Sequence, residues 1–309
     1  LLQYSITPTL RGMLMITGLL FILLVAVMGA ALSAVFQNVA RRRLDVVPFC
    51  ALISLFQVSG ALLGMRWDAL RNADHHQLLA LAGIMTVCGL CNGLGVMANI
   101  EAMKRGHAAI SNALAQAALL IPFTFSILIW KEHASVLNLA GVAGVILMGF
   151  LLGPGGAPRA KEPGGVTVWL LLILLAFVGY GFAQLTYLVP SRWANNAGFL
   201  GLRPLFLMLS QATFFTIFAF VGRRPVTRAM VPAAIAGAAV GLSYLYAAAL
   251  AADAMTAVNL AGIVYPLAIG GVIILFALYS RIVLHESYTA RSWIGLAAGV
   301  AGIVLICIR

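Results

Sequence analysis

The chain has 309 residues, of which 63% are hydrophobic and only 9% are charged, and its mean hydropathy is +1.05. Soluble domains carry about a quarter of their residues as charged side chains, so this composition excludes a water-soluble protein. Lys and Arg number 19 against 8 Asp and Glu, which gives a net charge of +11. The basic residues lie in short runs between apolar segments, such as Arg41 to Arg43. This pattern favours anionic lipid headgroups as their partner, and not nucleic acid.

The apolar segments have the length of membrane-spanning helices. A bilayer core about 30 Å thick is crossed by roughly 20 apolar residues of helix, because backbone amides cannot stay unpaired in hydrocarbon. Ten segments meet this length, at about 13–39, 44–65, 77–100, 108–130, 135–153, 166–189, 199–222, 231–252, 257–280 and 289–308. We therefore predict an all-α, polytopic membrane protein with about ten transmembrane helices.

The middle of the chain is rich in Gly and Pro. The run from Gly153 to Gly165 contains five Gly and three Pro residues, a composition that disfavours helix. It predicts a linker at 154–165 between a first unit at 1–153 and a second unit at 166–309, each with five helices.

The two units share sequence features at similar spacing. The run from Glu101 to Met103 matches the run from Asp253 to Met255 at an offset of 152 residues, and a Gly-Leu pair precedes both at the same offset. Glu132 and Glu286 each precede a glycine by nine residues. Since five spans is an odd number, the second unit starts on the opposite side of the membrane. We therefore predict two inverted five-helix repeats, with a substrate site near the midplane between them.

The chain resembles the drug/metabolite transporter superfamily, EamA type. The resemblance rests on the five-plus-five order, on Pro122 and Pro266 in segments four and nine, and on Glu132 and Glu286, each followed by a Gly-rich segment. Pro122 lies 10 residues before its glutamate and Pro266 lies 20 before its own, which departs from a strict repeat. The resemblance implies a central cavity lined by helices one, three, four, six, eight and nine, and substrates such as amino acids, sugars, nucleotides or drugs.

The distribution of basic residues bears on the orientation in the membrane. On the predicted topology, seven Lys or Arg lie on the side of the N-terminus and twelve lie on the other side. The positive-inside rule places both termini outside, whereas the family resemblance implies that both are inside. The orientation stays open at this point.

Polar side chains within the apolar segments are candidates for lining a cavity, because they cost free energy in lipid unless they are paired or face water. Segment six carries Tyr180, Gln184 and Tyr187 at i, i+4 and i+7, on one helix face. Segment three carries Asn92 and Asn99, of which the predicted set includes Asn92. The other candidates come from segments four, eight and nine: Asn112, Gln116, Tyr244, Asn259 and Tyr265. The alternative is that these groups only bond between packed helices.

Ionisable residues within the segments are scarce. Glu101 and Asp253 could carry coupling protons, although pairing of Glu101 with Lys104 is the simpler interpretation. Glu132 and Glu286 are expected near the N-terminus of the helix that follows each of them, where the helix dipole favours an anion. Arg203 either holds an anionic substrate or extends to the lipid headgroups.

These features predict a secondary transporter that moves a small polar or amphipathic metabolite by alternating access. The substrate would be an amino acid, a sugar, a nucleoside or a drug-like molecule. A lipid or lipid-linked-substrate flippase is the alternative, and an intramembrane enzyme is disfavoured because no catalytic set is evident. Cys88 and Cys91 have metal-binding spacing but no second ligand pair, so we expect no metal and no cofactor. We expect a monomer or weak homodimer in a bacterial inner membrane, with membrane lipids and a small-molecule substrate as its partners.

Overall fold

The computed structural model describes residues 8–63, 74–131, 135–156, 165–192, 202–257 and 264–306. Within these ranges the chain is helical apart from short turns, and it contains no strand. The α-helices are α1 (Pro8–Arg41), α2 (Val46–Leu63), α3 (His75–Arg105), α4 (Ala108–Gln116), α5 (Leu120–Leu128), α6 (Val136–Gly156), α7 (Gly165–Leu188), α8 (Arg203–Val221), α9 (Met230–Ala257), α10 (Val264–Ile282) and α11 (Ala290–Ile306). Two 3₁₀ helices, Ala117–Leu119 and Val189–Arg192, follow α4 and α7.

Seven helical segments in the described ranges are long and apolar enough to cross a membrane. They are Arg11–Arg41, Val46–Leu63, His75–Arg105, Ala108–Phe125, Gly165–Tyr187, Arg203–Val221 and Met230–Ala248. Large apolar side chains cover their outer surfaces; Leu63, for example, is 91% exposed and Phe220 is 84% exposed. The prediction of an all-helical chain is confirmed for the described residues, and the seven long apolar helices agree with a multi-pass integral membrane protein. Three shorter apolar helices, Val136–Leu152, Leu267–Ile282 and Ala290–Ile306, coincide with segments five, nine and ten, and their crossing of the membrane stays a prediction.

Local sequence explains how several helices begin and end. The Asp45 Oδ1 atom accepts a hydrogen bond from the Val47 amide at the start of α2, and Asp74 does the same for His76 in α3. Four helix C-termini are followed by a non-glycine residue in the left-handed region, with φ between 48° and 56°: Arg43, Lys131, Arg223 and His285. This conformation ends a helix and frees the chain to turn back.

The fourth predicted segment is one helical rod with a break in its middle. Residues 117–119 form a 3₁₀ turn between α4 and α5, and Pro122 follows in the first turn of α5. Proline has no N–H, so the carbonyl of Ala118 loses its helical donor and the ladder of hydrogen bonds is interrupted there. The 3₁₀ turn ends three residues before Pro122, at the same place in the rod as the interrupted hydrogen bond.

The predicted linker is partly helical. α6 continues through Pro154 to Gly156, so the first three residues of the predicted linker are helical. Because Pro154 has no N–H, the carbonyl of Phe150 lacks its usual donor. The guanidinium of Arg291 donates to that carbonyl at 2.9 Å and so stabilises the end of α6 from α11.

The main helix packing joins the first half of the chain to the second. The most extensive pairs are α6 with α11, α3 with α7 and α1 with α9, followed by α2 with α8 and α1 with α10. In each pair one helix lies before residue 157 and the other after residue 164. The two predicted repeats therefore interdigitate instead of folding as separate packing units.

Glycines allow these pairs to approach closely. A Cβ added at Gly179 of α7 would lie 2.8 Å from the Cys91 carbonyl oxygen and from the Gly95 amide nitrogen of α3, so the two backbones are in contact there. Gly141 of α6 and Gly302 of α11 face each other in the same way. The glycines of the Gly-xxx-Gly spacings that begin at Gly89, Gly237 and Gly295 all pack against other helices of the same chain.

Most Lys and Arg residues of the described ranges lie at one end of the helix bundle, called here the basic face. Ten Lys or Arg of the described ranges lie there, at the ends of α1, α3, α8 and α10 and the starts of the helices that follow: Arg41, Arg42, Arg43, Lys104, Arg105, Arg223, Arg224, Arg228, Arg281 and Arg291. Contacts across the face hold these ends together. Arg224 donates to both carboxylate oxygens of Asp45, at 3.0 and 3.2 Å, and thereby joins two turns that are far apart in sequence.

Candidate functional site

A buried cluster of three neutral polar side chains joins α3, α4 and α7. The Asn99 Nδ2 atom donates to Asn112 Oδ1 at 3.2 Å and to the Tyr180 hydroxyl oxygen at 3.4 Å. Asn99 is 1% exposed and Asn112 is 2% exposed. We call Asn99, Asn112 and Tyr180 the amide cluster. It contains two predicted site residues, Asn112 and Tyr180, and it joins the two halves of the chain.

The amide cluster has an unused acceptor. Asn99 Oδ1 is fully buried and has no hydrogen-bond partner within the described part of the chain. An amide oxygen without a partner in a low-dielectric interior costs about 1–3 kcal/mol. Buried polar groups are nearly always satisfied, so an exception such as this one requires an explanation. A donor group of a bound solute would satisfy the oxygen.

Small residues make room for the amide cluster. A Cβ added at Gly95 would lie 2.7 Å from the Tyr180 ring, so the ring packs directly on the α3 backbone. Ala98, Ala115 and Ala176, from α3, α4 and α7, form a small apolar cluster against the same tyrosine. The position of the Tyr180 hydroxyl is therefore determined by tight packing.

A second hydrogen bond joins α4 to α7 beside the amide cluster. Trp169 is completely buried, and its indole Nε1 donates to Ser111 Oγ at 3.0 Å. Ser111 precedes Asn112 in α4. The sequence reasoning did not single out this pair. A tryptophan within an apolar helix, whose N–H must find an acceptor when buried, was the available signal.

The predicted stripe on α7 does not act as one surface. Tyr180 belongs to the amide cluster, whereas Tyr187 packs with an apolar group of α3 and α8 and lies beneath the Arg203 guanidinium, 5.4 Å from its ring centre. Gln184 is half-buried between them. The i, i+4, i+7 spacing correctly describes one helix face, but different neighbours cover its two ends.

The remaining predicted residues of the described ranges lie around α3, α4 and α9. Asn92 is half-buried on α3, two turns before Asn99. Gln116 is half-buried and ends α4 at the break in the helix. Tyr244 is half-buried against Gly29 of α1, whereas Tyr246, two residues later, is 46% exposed.

The side chains of three predicted residues lie outside the described part of the structure. Asn259 lies outside the described residues. Asp253 and Tyr265 belong to α9 and α10, and only their backbone positions are described. Glu132 also lies outside the described ranges.

Glu101 lies on the basic face, and not in the interior. The Lys104 Nζ atom donates to Glu101 Oε1 at 2.7 Å and to the Leu44 carbonyl at 2.8 Å. The carboxylate is thus held in an i, i+3 ion pair, which is the simpler of the two sequence interpretations.

Glu286 forms a network that ties the α10–α11 turn to the start of α4. Its Oε1 accepts from the Ala108 amide at 3.0 Å, and its Oε2 accepts from the hydroxyls of Ser280 and Tyr288. The Nδ1 atom of His107 lies 3.8 Å away. Burial raises the pKa of Glu286, but the donors from His107, Ser280, Ala108 and Tyr288 outweigh it and lower the pKa to about 2.

This network corrects a sequence expectation. Glu286 was expected near the N-terminus of the following helix, α11, but it binds the N-terminus of α4 in the other half of the chain. The N-terminus of α11 is instead capped by Thr289, whose Oγ1 accepts from the Ser292 amide at 3.2 Å. The sequence correctly predicted that Glu286 contacts a helix N-terminus, but it predicted the wrong helix. The reason is that α4 comes close to Glu286 only in the folded structure.

Arg203 also differs from expectation. Its side chain is buried, at 6% exposure, and Nη1 donates to the Tyr187 carbonyl at 3.2 Å. It therefore does not extend to the lipid headgroups. A buried arginine over an aromatic ring is stabilised by the ring's negative face.

A separate open cavity of about 490 Å³ lies between α1 and α10 at the basic face. We call it the α1–α10 groove. Its lining includes Ala30, Ala31, Ala34, Asn38, Arg41 and Tyr279. None of the predicted site residues whose side chains are described lines it.

Comparison with known proteins agrees with the helical arrangement. No protein-family model matches the chain, and no curated protein sequence is similar to it. Twenty-four chains of solved structures match. One of these, a crystal structure of a protein, superposes with a TM-score of 0.54 at 15% sequence identity, over 92% of this chain and 97% of that one. At this identity the match shows a shared fold and nothing about activity.

Proposed function

We propose that this chain is a secondary transporter, which moves a small polar or amphipathic metabolite across a membrane by alternating access. The observation that carries the proposal is the amide cluster, where Asn99 Oδ1 is buried without a partner between helices of opposite halves. Polar groups within the membrane-spanning part of a protein are energetically costly, and they often mark the path of a substrate. The resemblance to EamA-type transporters points to the same class.

The packing pattern supports two related halves. Exchange of the first five predicted segments for the second five converts the α3–α7 pair into the α9–α1 pair, and both are among the most extensive contacts. The same exchange converts α3–α8 into α9–α2, and it leaves α6–α11 and α2–α8 as self-paired contacts. Lys131 and His285, 154 residues apart, both adopt the left-handed conformation before a glutamate. Inverted halves of this kind can exchange conformations and so open a site to either side.

The chemistry of the amide cluster favours a solute with hydrogen-bond donors and no net charge at the point of contact. The cluster presents an amide acceptor and a phenol, and none of its three members is charged. A charged group placed there without a counter-ion would carry a large desolvation cost. Sugars, nucleosides, and the uncharged parts of amino acids or drug-like molecules fit this requirement.

The experiment is a ligand screen with matched variants. Purified protein is heated with a panel of amino acids, sugars, nucleosides and quaternary amines, and each stabilising compound is repeated with Asn99→Leu and Tyr180→Phe. Ser59→Ala is the control, because Ser59 is exposed and, within the described residues, its hydroxyl bonds only to the Leu55 carbonyl of its own helix. A ligand at 100 times its Kd adds about 2.7 kcal/mol to the free energy of unfolding.

The proposal expects a compound that stabilises wild type and Ser59→Ala, fails to stabilise Asn99→Leu, and is taken up by proteoliposomes containing wild type. Equal stabilisation of wild type and Asn99→Leu would show that the amide cluster is not the binding site. The second candidate function, a lipid flippase, is favoured by the α1–α10 groove, which is open and has a basic end. Transfer of a labelled phospholipid between leaflets, without uptake of any polar solute, would establish that candidate instead.

A further inference from the structure

The α1–α10 groove has the shape of a site for one lipid molecule. α1 and α10 run in the same direction and touch near their middles, where Gly271 packs on Ala26 and Gly29 packs on Val272. From there to the basic face the groove opens between them, with Ala30 and Arg41 at its two ends on α1. Eleven residue steps of helix correspond to roughly 17 Å, about half of a 30 Å hydrocarbon core.

The wall of the groove on α1 changes from apolar to polar along one helix face. Ala31, Ala34, Asn38 and Arg41 follow at i, i+3, i+7 and i+10, so they share that face. The small alanines leave space in the apolar part. Asn38 and Arg41 are both exposed and stand where the helix reaches the basic face.

The groove borders the lipid-facing surface of the protein. Val27, one turn before Ala31 on α1, and Leu278, next to Tyr279 on α10, are each 42% exposed. Exposed aliphatic side chains of this kind on membrane-spanning helices contact hydrocarbon. An acyl chain can therefore enter the groove sideways from the bilayer.

Arg41 is available to bind an anion. Its side chain makes no hydrogen bond or ion pair with the rest of the described chain, whereas Arg224 pairs with Asp45, Lys104 with Glu101, and Arg291 with a backbone carbonyl. A guanidinium binds a phosphate diester through two parallel hydrogen bonds. Asn38, one turn earlier, can donate its side-chain amide to an ester or glycerol oxygen.

We propose that the α1–α10 groove binds one anionic phospholipid, with the phosphate at Arg41 and Asn38 and an acyl chain along Ala34 and Ala31. The site is separate from the amide cluster, and the inference does not depend on the transport proposal. Binding at this site requires an anionic headgroup, whereas general contact with lipid does not.

The test is native mass spectrometry of the delipidated, detergent-solubilised chain with palmitoyl-oleoyl phosphatidylglycerol or the matching phosphatidylcholine. Arg41→Gln removes the proposed phosphate ligand, and Arg42→Gln is the matched control, because Arg42 is adjacent and exposed but does not line the groove. Ala34→Phe fills the apolar part, and thermal unfolding without lipid verifies that each variant is folded. Inorganic phosphate is added as a competitor to distinguish a lipid site from a site for a free anion.

We expect wild type and Arg42→Gln to retain one phosphatidylglycerol per chain, and Arg41→Gln to retain it at least about tenfold more weakly. Folded Ala34→Phe should not retain it, phosphatidylcholine should bind weakly to all variants, and millimolar phosphate should not displace the lipid. The proposal is overturned if Arg42→Gln loses the lipid as strongly as Arg41→Gln, which would indicate diffuse attraction to the basic face. It is also overturned if Ala34→Phe binds normally, if phosphatidylcholine binds equally well, or if phosphate competes.

Discussion

The α3–α7 and α1–α9 interfaces are similar in extent but are built differently. Both join the two halves of the chain, and the sequence offset of 152 residues relates α3 to α9. In α3–α7 the backbones touch, because a Cβ at Gly179 would meet backbone atoms of Cys91 and Gly95. In α1–α9 a Cβ at Gly18 would meet the Met255 side chain, with the sulfur at 2.5 Å.

The two interfaces also differ in polarity. Asn99 in α3 corresponds at the same offset to Ala251 in α9, and both are buried. The surroundings of Ala251 are apolar, and include Ile22, Val25 and Met255. The buried amide of Asn99 therefore lies at the interface where direct contact between two helix backbones fixes its position. The counterpart is filled with side chains that can repack, so we expect α1 and α9 to be the more adaptable pair.

The largest expected effect comes from filling the backbone contact. Gly179→Ala forces α3 and α7 apart and should lower the free energy of unfolding by about 3 kcal/mol or more. Gly18→Ala should cost less than about 1 kcal/mol, because the flexible Met255 side chain can move away. Thermal unfolding in detergent measures both. Gly83→Ala is the control, since a Cβ there has no neighbour within 4 Å. Equal losses for Gly179→Ala and Gly18→Ala would contradict the difference between the interfaces.

The next effect comes from moving the amide to the apolar interface. Ala251→Asn buries a polar group among aliphatic side chains and should destabilise the protein by roughly 3 kcal/mol, from desolvation together with crowding. The same thermal measurement applies, with Ala251→Leu as a control for added volume alone. If the asparagine is tolerated better than the leucine, then the α1–α9 interface has polar or hydrated surroundings and the comparison fails.

A smaller expected effect is the change of stability with pH, which should involve the charged Glu286 network at the basic face and not the neutral amide cluster. The pKa of Glu286 is lowered to about 2 from 4.5, so its stabilisation is complete above pH 4.5 and is lost as the pH falls towards 2. Glu286→Gln should therefore cost about 2 kcal/mol at pH 7, and the difference from wild type should shrink below pH 4.5.

Denaturant unfolding of wild type and Glu286→Gln across pH 3 to 7 measures this loss, and Asn99→Leu serves as the comparison variant. The amide cluster contains no group that titrates in this range, so the difference between Asn99→Leu and wild type should not change with pH. A pH-independent difference for Glu286→Gln would mean that the carboxylate is not held in its charged form by these donors.

The smallest effect tests the hydroxyl of the amide cluster. Tyr180→Phe removes one acceptor from Asn99 and keeps the ring against Gly95, so stability should fall by about 1 kcal/mol. Thermal unfolding of Tyr180→Phe, Asn99→Leu and the double variant forms a cycle. If the two single effects are strictly additive, the Asn99–Tyr180 hydrogen bond does not contribute to stability.

Particular elements show how far the sequence could be interpreted. The ends of α2, α3 and α7 were predicted within about five residues, because hydropathy is a local signal. The capping residues Asp45 and Asp74, also local signals, were not used in that prediction. The helical end of α6 was missed, since its stabilising donor, Arg291, comes from α11. Tyr180 and Asn112 were predicted as site residues, but Asn99 was left out of the set although it bonds to both.

The sequence by itself determined that this protein is helical and membrane-embedded, because segments in contact with lipid must form helices and must be almost free of charged residues. It also identified which polar residues are buried candidates. Only the tertiary structure decided which of them meet: that Asn99 lies between Asn112 and Tyr180, that Glu286 binds the start of α4, and that Arg41 stands at the end of an open groove. Such contacts depend on the close approach of helices far apart in sequence, for which no local pattern exists.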